Sequence, residues 1–379
     1  MNVLGIETSC DETAAAVVST TGDARRPWAV RSSVIASQAD IHREWGGVVP
    51  ELASRQHVRD ICGVVDRALA DAGTPWDGVD AIAVTQGPGL VGALLVGVSF
   101  AKAAAAAIGR PVVPVHHLAG HIESVFLDHG AIDLPAVVLV VSGGHTSLYL
   151  VPEPGVYRLI GRTRDDAAGE AYDKVARVLG LGYPGGPAID RAAAEGDDRA
   201  IELPRPRFTH ADRNPAPVDL DQVALSGDGR HTADFSFSGL KSAVIRHVQR
   251  RGVVVTPGAE GDGTALSRGD IADISASFQR VVVESLLDRT FETAQRLGAR
   301  SIGIAGGVSA NSRLRRDAAA RGQQEGIPVY VPAIALSTDN AAMIGAAGLR
   351  RIEAGASSDL TFNAHASLPI PTTPPPTDG

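Results

Sequence analysis

Two stretches of the chain share one hydrophobic design. Residues 3–6 form a short apolar run, followed by Glu7-Thr8-Ser9-Cys10-Asp11-Glu12-Thr13 and then the apolar residues 14–18. Two apolar runs joined by a polar turn predict a β-hairpin, here with hydroxyls and carboxylates crowded into the turn. Residues 136–141, the turn Ser142-Gly143-Gly144-His145-Thr146-Ser147 and residues 148–151 repeat the plan. Between the hairpins, residues 58–72 and 92–108 carry helical spacing, separated by a strand at 81–85 and the turn Gln86-Gly87-Pro88-Gly89. A strand at 112–115 leads into a helix at 116–126, and 166–179 and 271–297 read as further helices. A buried strand at 301–305 runs through Gly306-Gly307 into a helix starting near Asn311. Alternating strands and helices predict an α/β fold, and 379 residues exceed one ordinary core, so two lobes are expected. The expected division is 1–112, 113–350 and a tail over 351–379.

Residues 204–233 and 252–269 are rich in Pro, Gly, Asp and Ser without periodicity, the pattern of surface excursions. The proline-rich end from His365 onward has little to bury and reads as disordered. Only Cys10 and Cys62 occur, which excludes a disulfide framework and a thiolate-only zinc site and fits a cytoplasmic setting. The longest apolar run, 90–101, stops at Lys102, too short for a bilayer, and no basic stretch precedes an apolar one at the N-terminus. Neither export nor membrane insertion is expected. A net charge of −8 argues against nucleic-acid binding driven by the overall field. Residues 205–251 reverse the sign, with eight Lys/Arg against five Asp/Glu, a count that suits either a phosphate-facing surface or a solvated loop. Lysine occurs only at Lys102, Lys174 and Lys241, where a compact ammonium suits a point contact with a phosphate or carboxylate.

Candidate chemistry starts with His117 and His121. Four residues apart on a helix, their imidazoles share one face and can chelate a cation, although such a pair also serves simply to cap and pack a helix. Asp339, in Leu336-Ser337-Thr338-Asp339-Asn340, offers a third, hard ligand, and a His₂–carboxylate set leaves positions open for a substrate oxygen. Leu118 follows the first histidine where H-E-x-x-H zinc peptidases carry glutamate, which weakens a peptidase reading. Gly143 and Gly144 expose backbone N–H groups that can surround an anion, or make an ordinary glycine hairpin. Gly306-Gly307-Val308-Ser309-Ala310-Asn311 admits a base or ribose, or is a plain strand-to-helix turn. Glu170, Asp173 and Lys174 share a helical face, for ribose hydroxyls or for an intrahelical ion pair. Neither a P-loop nor a dinucleotide fingerprint is present.

Taken together, Ile6-Glu7-Thr8-Ser9-Cys10-Asp11-Glu12-Thr13, Gly46-Gly47-Val48-Val49-Pro50-Glu51, His117-Leu118-Ala119-Gly120-His121, Val141-Ser142-Gly143-Gly144-His145-Thr146 and Ser337-Thr338-Asp339-Asn340 closely resemble the TsaD family of tRNA threonylcarbamoyladenosine transferases. Asp166-Ala167-Ala168-Gly169-Glu170, Tyr183-Pro184-Gly185-Gly186, Phe235-Ser236-Phe237-Ser238-Gly239-Leu240-Lys241 and Gly306-Gly307-Val308-Ser309-Ala310-Asn311 extend the resemblance over about residues 1–350. It implies the two-lobed α/β fold of actin, sugar kinases and heat-shock ATPases. It implies transfer of a threonylcarbamoyl group from threonylcarbamoyl-AMP to the N6 amine of the adenosine 3′ of the anticodon, in tRNAs reading ANN codons. His117, His121 and Asp339 would hold one divalent metal, Fe²⁺ ahead of Zn²⁺ or Mg²⁺. Val141, Ser142, Gly143, Gly144, His145, Asp173, Gly186, Asp190 and Asn311 would contact the adenylate, and no side chain is assigned as the base. A TsaB-like paralogue and a TsaE-like ATPase would be partners. Residues 213–233 and 252–269 depart from the family pattern as apparent insertions. A metallopeptidase, a non-catalytic assembly subunit and a sugar kinase or ATPase of the same fold are the alternatives.

Overall fold

Runs of small and β-branched residues with no polar interruption make strands that are buried on both faces, the requirement of a parallel sheet covered by helices. In the computed structural model of the chain, which describes residues 1–205, 233–252, 266–356 and 359–370, two mixed sheets form, each parallel on one side and antiparallel on the other. The first contains β1 (Asn2–Glu7), β2 (Glu12–Thr20), β3 (Trp28–Ser37), β4 (Ala81–Gly87) and β5 (Val112–His116) in the order β3-β2-β1-β4-β5. The second contains β6 (Ala136–Val141), β7 (Thr146–Val151), β8 (Arg158–Arg162), β9 (Ser301–Ala305) and β10 (Val329–Tyr330) in the order β8-β7-β6-β9-β10. β1 pairs antiparallel with β2 and parallel with β4, and β6 pairs parallel with β9. The two sheets therefore share one topology, and the repeated hairpin of the sequence opens each.

The helices are α1 (Ala39–Arg43), α2 (Pro50–Ala72), α3 (Val91–Ile108), α4 (His117–His129), α5 (Ala168–Val178), α6 (Gly185–Ala193), α7 (Ser238–Arg250), α8 (Arg268–Arg296), α9 (Ser312–Glu325), α10 (Ile334–Ser337) and α11 (Ala341–Glu353). Pro50 opens α2 at the first turn, where its missing N–H is harmless, and Gly73 ends it in the left-handed region at φ 59°. α3 has the length and hydropathy a membrane span needs. Its Val98, Ala101 and Ala105 belong to the core of the first sheet.

The chain divides into Met1–Asp133 with Val151–Tyr157 and Pro332–Gly379, and Leu134–Leu150 with Arg158–Val331. This corrects the expected boundary at 112. β5 and α4 complete the first unit, and the chain returns to it at the end, where α11 packs on β1, β2 and β4. Periodicity shows that a helix is amphipathic but not which sheet it covers. The return is possible because Gly5 and Gly345 meet backbone to backbone: a Cβ on Gly5 would lie 2.2 Å from the Ala341 carbonyl oxygen and 2.7 Å from the Gly345 nitrogen.

The expectation of a disordered tail is corrected for residues 359–370. Asn363 O accepts from Gln86 Nε2 at 2.9 Å, His365 N–H donates to Gln86 O at 2.9 Å, and Ala366 O accepts from Gly89 N–H at 3.2 Å. Lys102 Nζ lies 4.4 Å from the Phe362 ring centroid and donates to the Phe362 carbonyl. A segment without periodicity can be held by backbone hydrogen bonds and one aromatic, which composition does not reveal. Residues 206–232, 253–265, 357–358 and 371–379 lie outside the described residues, and with them most of both expected insertions. At their described edges, Ala233 is fully buried and Ser267 caps α8, so the 252–269 excursion ends before 268.

One buried ion pair fixes α4 against α11. Glu123, with no exposure, accepts from Arg350 Nε at 3.2 Å, Arg350 Nη2 at 3.1 Å and the Tyr157 hydroxyl at 2.5 Å. The guanidinium also lies 4.3 Å from the Trp28 ring centroid. Removing one partner strands the other charge out of water. Arg350→Met is expected to lower unfolding free energy by about 3–5 kcal/mol in urea titration, and Glu123→Leu/Arg350→Met by markedly less.

Candidate functional site

In the first unit the C-terminal ends of β1 and β5 and the N-termini of α4 and α11 supply one cluster. β5 ends at His116, whose Nδ1 accepts the Leu118 N–H at 3.2 Å and so caps α4. Its Nε2 donates to Leu368 O at 2.9 Å, and burial lowers its pKa to about 4, so the ring is neutral and tied to the C-terminal segment. The first turn of α4 then presents His117, and the next presents His121. Asn340 caps α11 by accepting the Met343 N–H at 2.9 Å, which brings the preceding Asp339 to the same place.

The three ligand atoms converge. Asp339 Oδ1 lies 3.1 Å from His121 Nε2 and 3.6 Å from His117 Nε2, and the three donors fall within 4.8 Å of one another. Metal–ligand bonds of roughly 2.0–2.2 Å set neighbouring donors about 3–3.5 Å apart, so the two Asp339 distances match a shared cation and the wider separation in the cluster would have to close on binding one. His121 tests that fit. It is fully buried, and neither ring nitrogen makes a hydrogen bond among the described residues, because Nε2 meets Asp339 in contact but not in hydrogen-bond alignment. Leaving a buried polar group unmatched costs about 1–3 kcal/mol, which coordination of a cation would remove.

Behind His117 stands Glu7, at the buried end of β1. Its Oε2 lies 3.1 Å from His117 Nδ1 and accepts from Thr85 Oγ1 at 2.7 Å, while Oε1 accepts the Ser9 N–H. A carboxylate on Nδ1 holds the ring so that Nε2 faces the ligand position. Burial acts most strongly on His117 and would lower its pKa, but Asp339 and Glu7 outweigh it and hold the ring up at about 9. Burial would likewise raise Glu7, yet His117 pulls it below its ordinary value. Glycines seat this turn closely: a Cβ on Gly89 would lie 2.6 Å from Ser9 O, and one on Gly97 2.4 Å from Thr8 Oγ1. In the sequence Glu7 stands only as the first residue of a polar turn, which hides this role. A charge closing an otherwise apolar strand is the signal available there.

The second unit gathers the glycine motifs at the C-terminal ends of β6 and β9. The turn after Val141 closes with Ser142 N–H to His145 O at 2.8 Å, and Ser142 O accepts from Gly169 N–H at 3.3 Å at the start of α5. Two kinds of glycine separate here. A Cβ on Gly169, Gly185 or Gly306 would collide with backbone at 2.4–2.6 Å, so these bring segments together, with Gly306 at φ 92°. A Cβ on Gly143, Gly144, Gly186 or Gly307 would meet nothing within 4 Å, so these leave their backbone open. Asp173 accepts the Gly185 N–H at 2.8 Å, which fixes the turn into Gly186 and α6. Asp190 on α6 accepts from Asn311 Nδ2 at 3.2 Å.

Two of the three lysines have carboxylate partners. Asp166 accepts from Lys174 Nζ at 2.8 Å and Lys241 Nζ at 2.6 Å, and Glu170 forms the intrahelical pair with Lys174 at 2.7 Å. Asp165 anchors the start of α7, accepting from the Phe237 N–H at 2.8 Å and the Ser238 hydroxyl at 2.7 Å. Glu170 and Lys174 are thereby engaged with each other, and Lys174 and Lys241 share Asp166.

The TsaD family profile, described as tRNA N6-adenosine threonylcarbamoyltransferase, matches residues 29–346. The chain belongs to this family. Relatives bearing the same name include one from Moorella thermoacetica, 50% identical over 369 residues and 97% of each chain. Another, from an Anaeromyxobacter species, is 51% identical over 365 residues, 96% of this chain and 98% of its own. A solved structure, full-length HypF in the phosphate- and nucleotide-bound form, aligns with 93% of this chain and 55% of its own at 12% identity and a TM-score of 0.53. That likeness speaks to the α/β fold alone.

If Glu7 sets the TsaD-family histidine pair, Glu7→Gln should weaken metal binding by about 10–100-fold in chelator competition, with an unchanged circular dichroism spectrum. Unchanged affinity would show that the carboxylate serves folding only.

Proposed function

We propose that this chain is an acyltransferase of tRNA modification, moving a threonylcarbamoyl group onto the N6 amine of an adenosine in tRNA. The observation that carries this reading is the match, along nearly the whole chain and at about half identity, to relatives named for that reaction. The finer reading takes threonylcarbamoyl-AMP as donor and the adenosine 3′ of the anticodon, in tRNAs reading ANN codons, as acceptor. The amine nitrogen bonds to the carbamoyl carbon, the bond from that carbon to the phosphate oxygen breaks, AMP leaves with the electron pair, and the amine proton passes to solvent. No covalent enzyme intermediate is required.

The open backbone of Gly143 and Gly144, with Ser142 and His145 at its sides and Val141 before it, suits the adenylate's phosphate. Asp173, Gly186, Asp190 and Asn311 are assigned to its nucleoside. His117, His121 and Asp339 are assigned one divalent cation, Fe²⁺ before Zn²⁺ or Mg²⁺, since two imidazoles and one carboxylate with open positions form a recognised iron(II) donor set. When bound, such an ion supplies a Lewis acid that offsets negative charge on substrate oxygens. Glu7 holds His117 in the orientation this requires. A TsaB-like paralogue and a TsaE-like ATPase are the proposed partners, and the cytoplasm the proposed location. The peptidase alternative is disfavoured because Glu7, the carboxylate on His117 Nδ1, is already engaged by Thr85 and Ser9.

The test supplies the chain with threonylcarbamoyl-AMP labelled in threonine, partner proteins and tRNA. Wild type should place label in tRNA, and His117→Ala/His121→Ala should abolish it while remaining folded. Wild type without transfer, under conditions where a relative works, contradicts the reading.

A further inference from the structure

A buried amide outside every motif above joins two of the residues assigned to the nucleoside. Gln279 lies on α8 and is 4% exposed, between the core residues Phe278 and Val281. Its Nε2 donates to Asp190 Oδ1 at 3.0 Å, and its Oε1 accepts from Asn311 Nδ2 at 2.8 Å. Asn311 Nδ2 makes its second donation to Asp190 Oδ1 at 3.2 Å, and Asn311 Oδ1 accepts the Leu314 N–H at 2.9 Å at the start of α9. Ser312 adds its hydroxyl to Asp190 Oδ1 at 2.8 Å and its N–H to Oδ2 at 3.1 Å.

Counting donors and acceptors decides what is left for a ligand. An amide nitrogen carries two N–H groups, and both on Asn311 are engaged within the protein, so its side chain has no donor to offer. On Asp190, Oδ1 accepts from three groups and Oδ2 from one, which leaves acceptor capacity on Oδ2. Asn311 also meets Asp190 directly, and the neutral amide of Gln279, which donates to one and accepts from the other, adds the second link that fixes the pair. Its burial keeps water from competing for the amide, so the orientation is set before any ligand arrives.

We propose that Gln279 is a positioning residue for nucleotide binding, holding Asn311 and Asp190 so that Asp190 Oδ2 accepts a ribose hydroxyl. The proposal deepens the reading above and rests on its assignment of Asp190 to the nucleoside. Calorimetric titration of the full chain with AMP tests it. Gln279→Met keeps the side chain's size and apolar fit but cannot bridge, and should weaken AMP about tenfold, the scale of a hydrogen bond to a charged group. In an Asp190→Ala background the same substitution should change AMP affinity by less than about twofold, because the group it acts through is gone. A loss of equal size in both backgrounds means general packing and overturns the proposal, as does AMP affinity within about twofold of wild type in folded Gln279→Met. Should Gln279→Met fail to fold, Gln279→Asn, one methylene too short to bridge, is judged by the same cycle. Wild type that does not bind AMP overturns the nucleoside assignment and this role with it.

Discussion

A carboxylate with essentially no exposure must be met by donors, and that requirement organises the end of the first sheet. Glu7 is met by the Ser9 N–H, the Thr85 hydroxyl and His117 Nδ1, which belong to the turn after β1, to β4 and to α4. Satisfying one group therefore places the first turn of α4 relative to the sheet. It also decides which nitrogen of His117 faces Asp339 and His121. The Glu123–Arg350 pair makes the same demand farther along, tying α4 to the helix that follows Asp339. Ligand geometry at the centre is thus maintained from behind, by two buried charges that cannot be left alone.

The two sheets carry the same strand plan, and each places its polar turn beyond the first strand of its hairpin. The turns have diverged in chemistry. After β1, hydroxyls and carboxylates enclose an imidazole. After β6, Gly143 and Gly144 leave backbone uncovered. One topology thus supplies a cluster that could hold a cation in one unit and an uncovered glycine backbone in the other, with side chains rather than the fold making the difference.

Much of this is legible in the amino-acid sequence. The two hairpins, the central strands and α3, α4, α5 and α8 follow from apolar periodicity, and the His117–His121 spacing points to one face of a helix. α6 is not read as a helix from the hydrophobic pattern, because Pro184, Gly185, Gly186 and Pro187 at its start mask a helix of nine residues. β3 and β8 escape the hydrophobic pattern, being edge strands whose apolar residues are interrupted or flanked by arginine and serine. The return of α11 to the first sheet and the binding of residues 359–370 depend on close backbone approach, which hydropathy does not register. Glu7 and Gln279 are hidden as functional groups for a related reason: each acts through hydrogen bonds to residues distant in sequence.

One cation between His117, His121 and Asp339 would account for the convergence of these three side chains in the first unit. Crystals of the iron-loaded protein, with anomalous data collected at the iron edge, address it directly. A single peak is expected within roughly 2.0–2.3 Å of His117 Nε2, His121 Nε2 and an Asp339 oxygen, with Glu7 still on His117 Nδ1. A peak elsewhere, or an empty cluster with His117 Nε2 hydrogen-bonded to Asp339 in fully loaded protein, would contradict it.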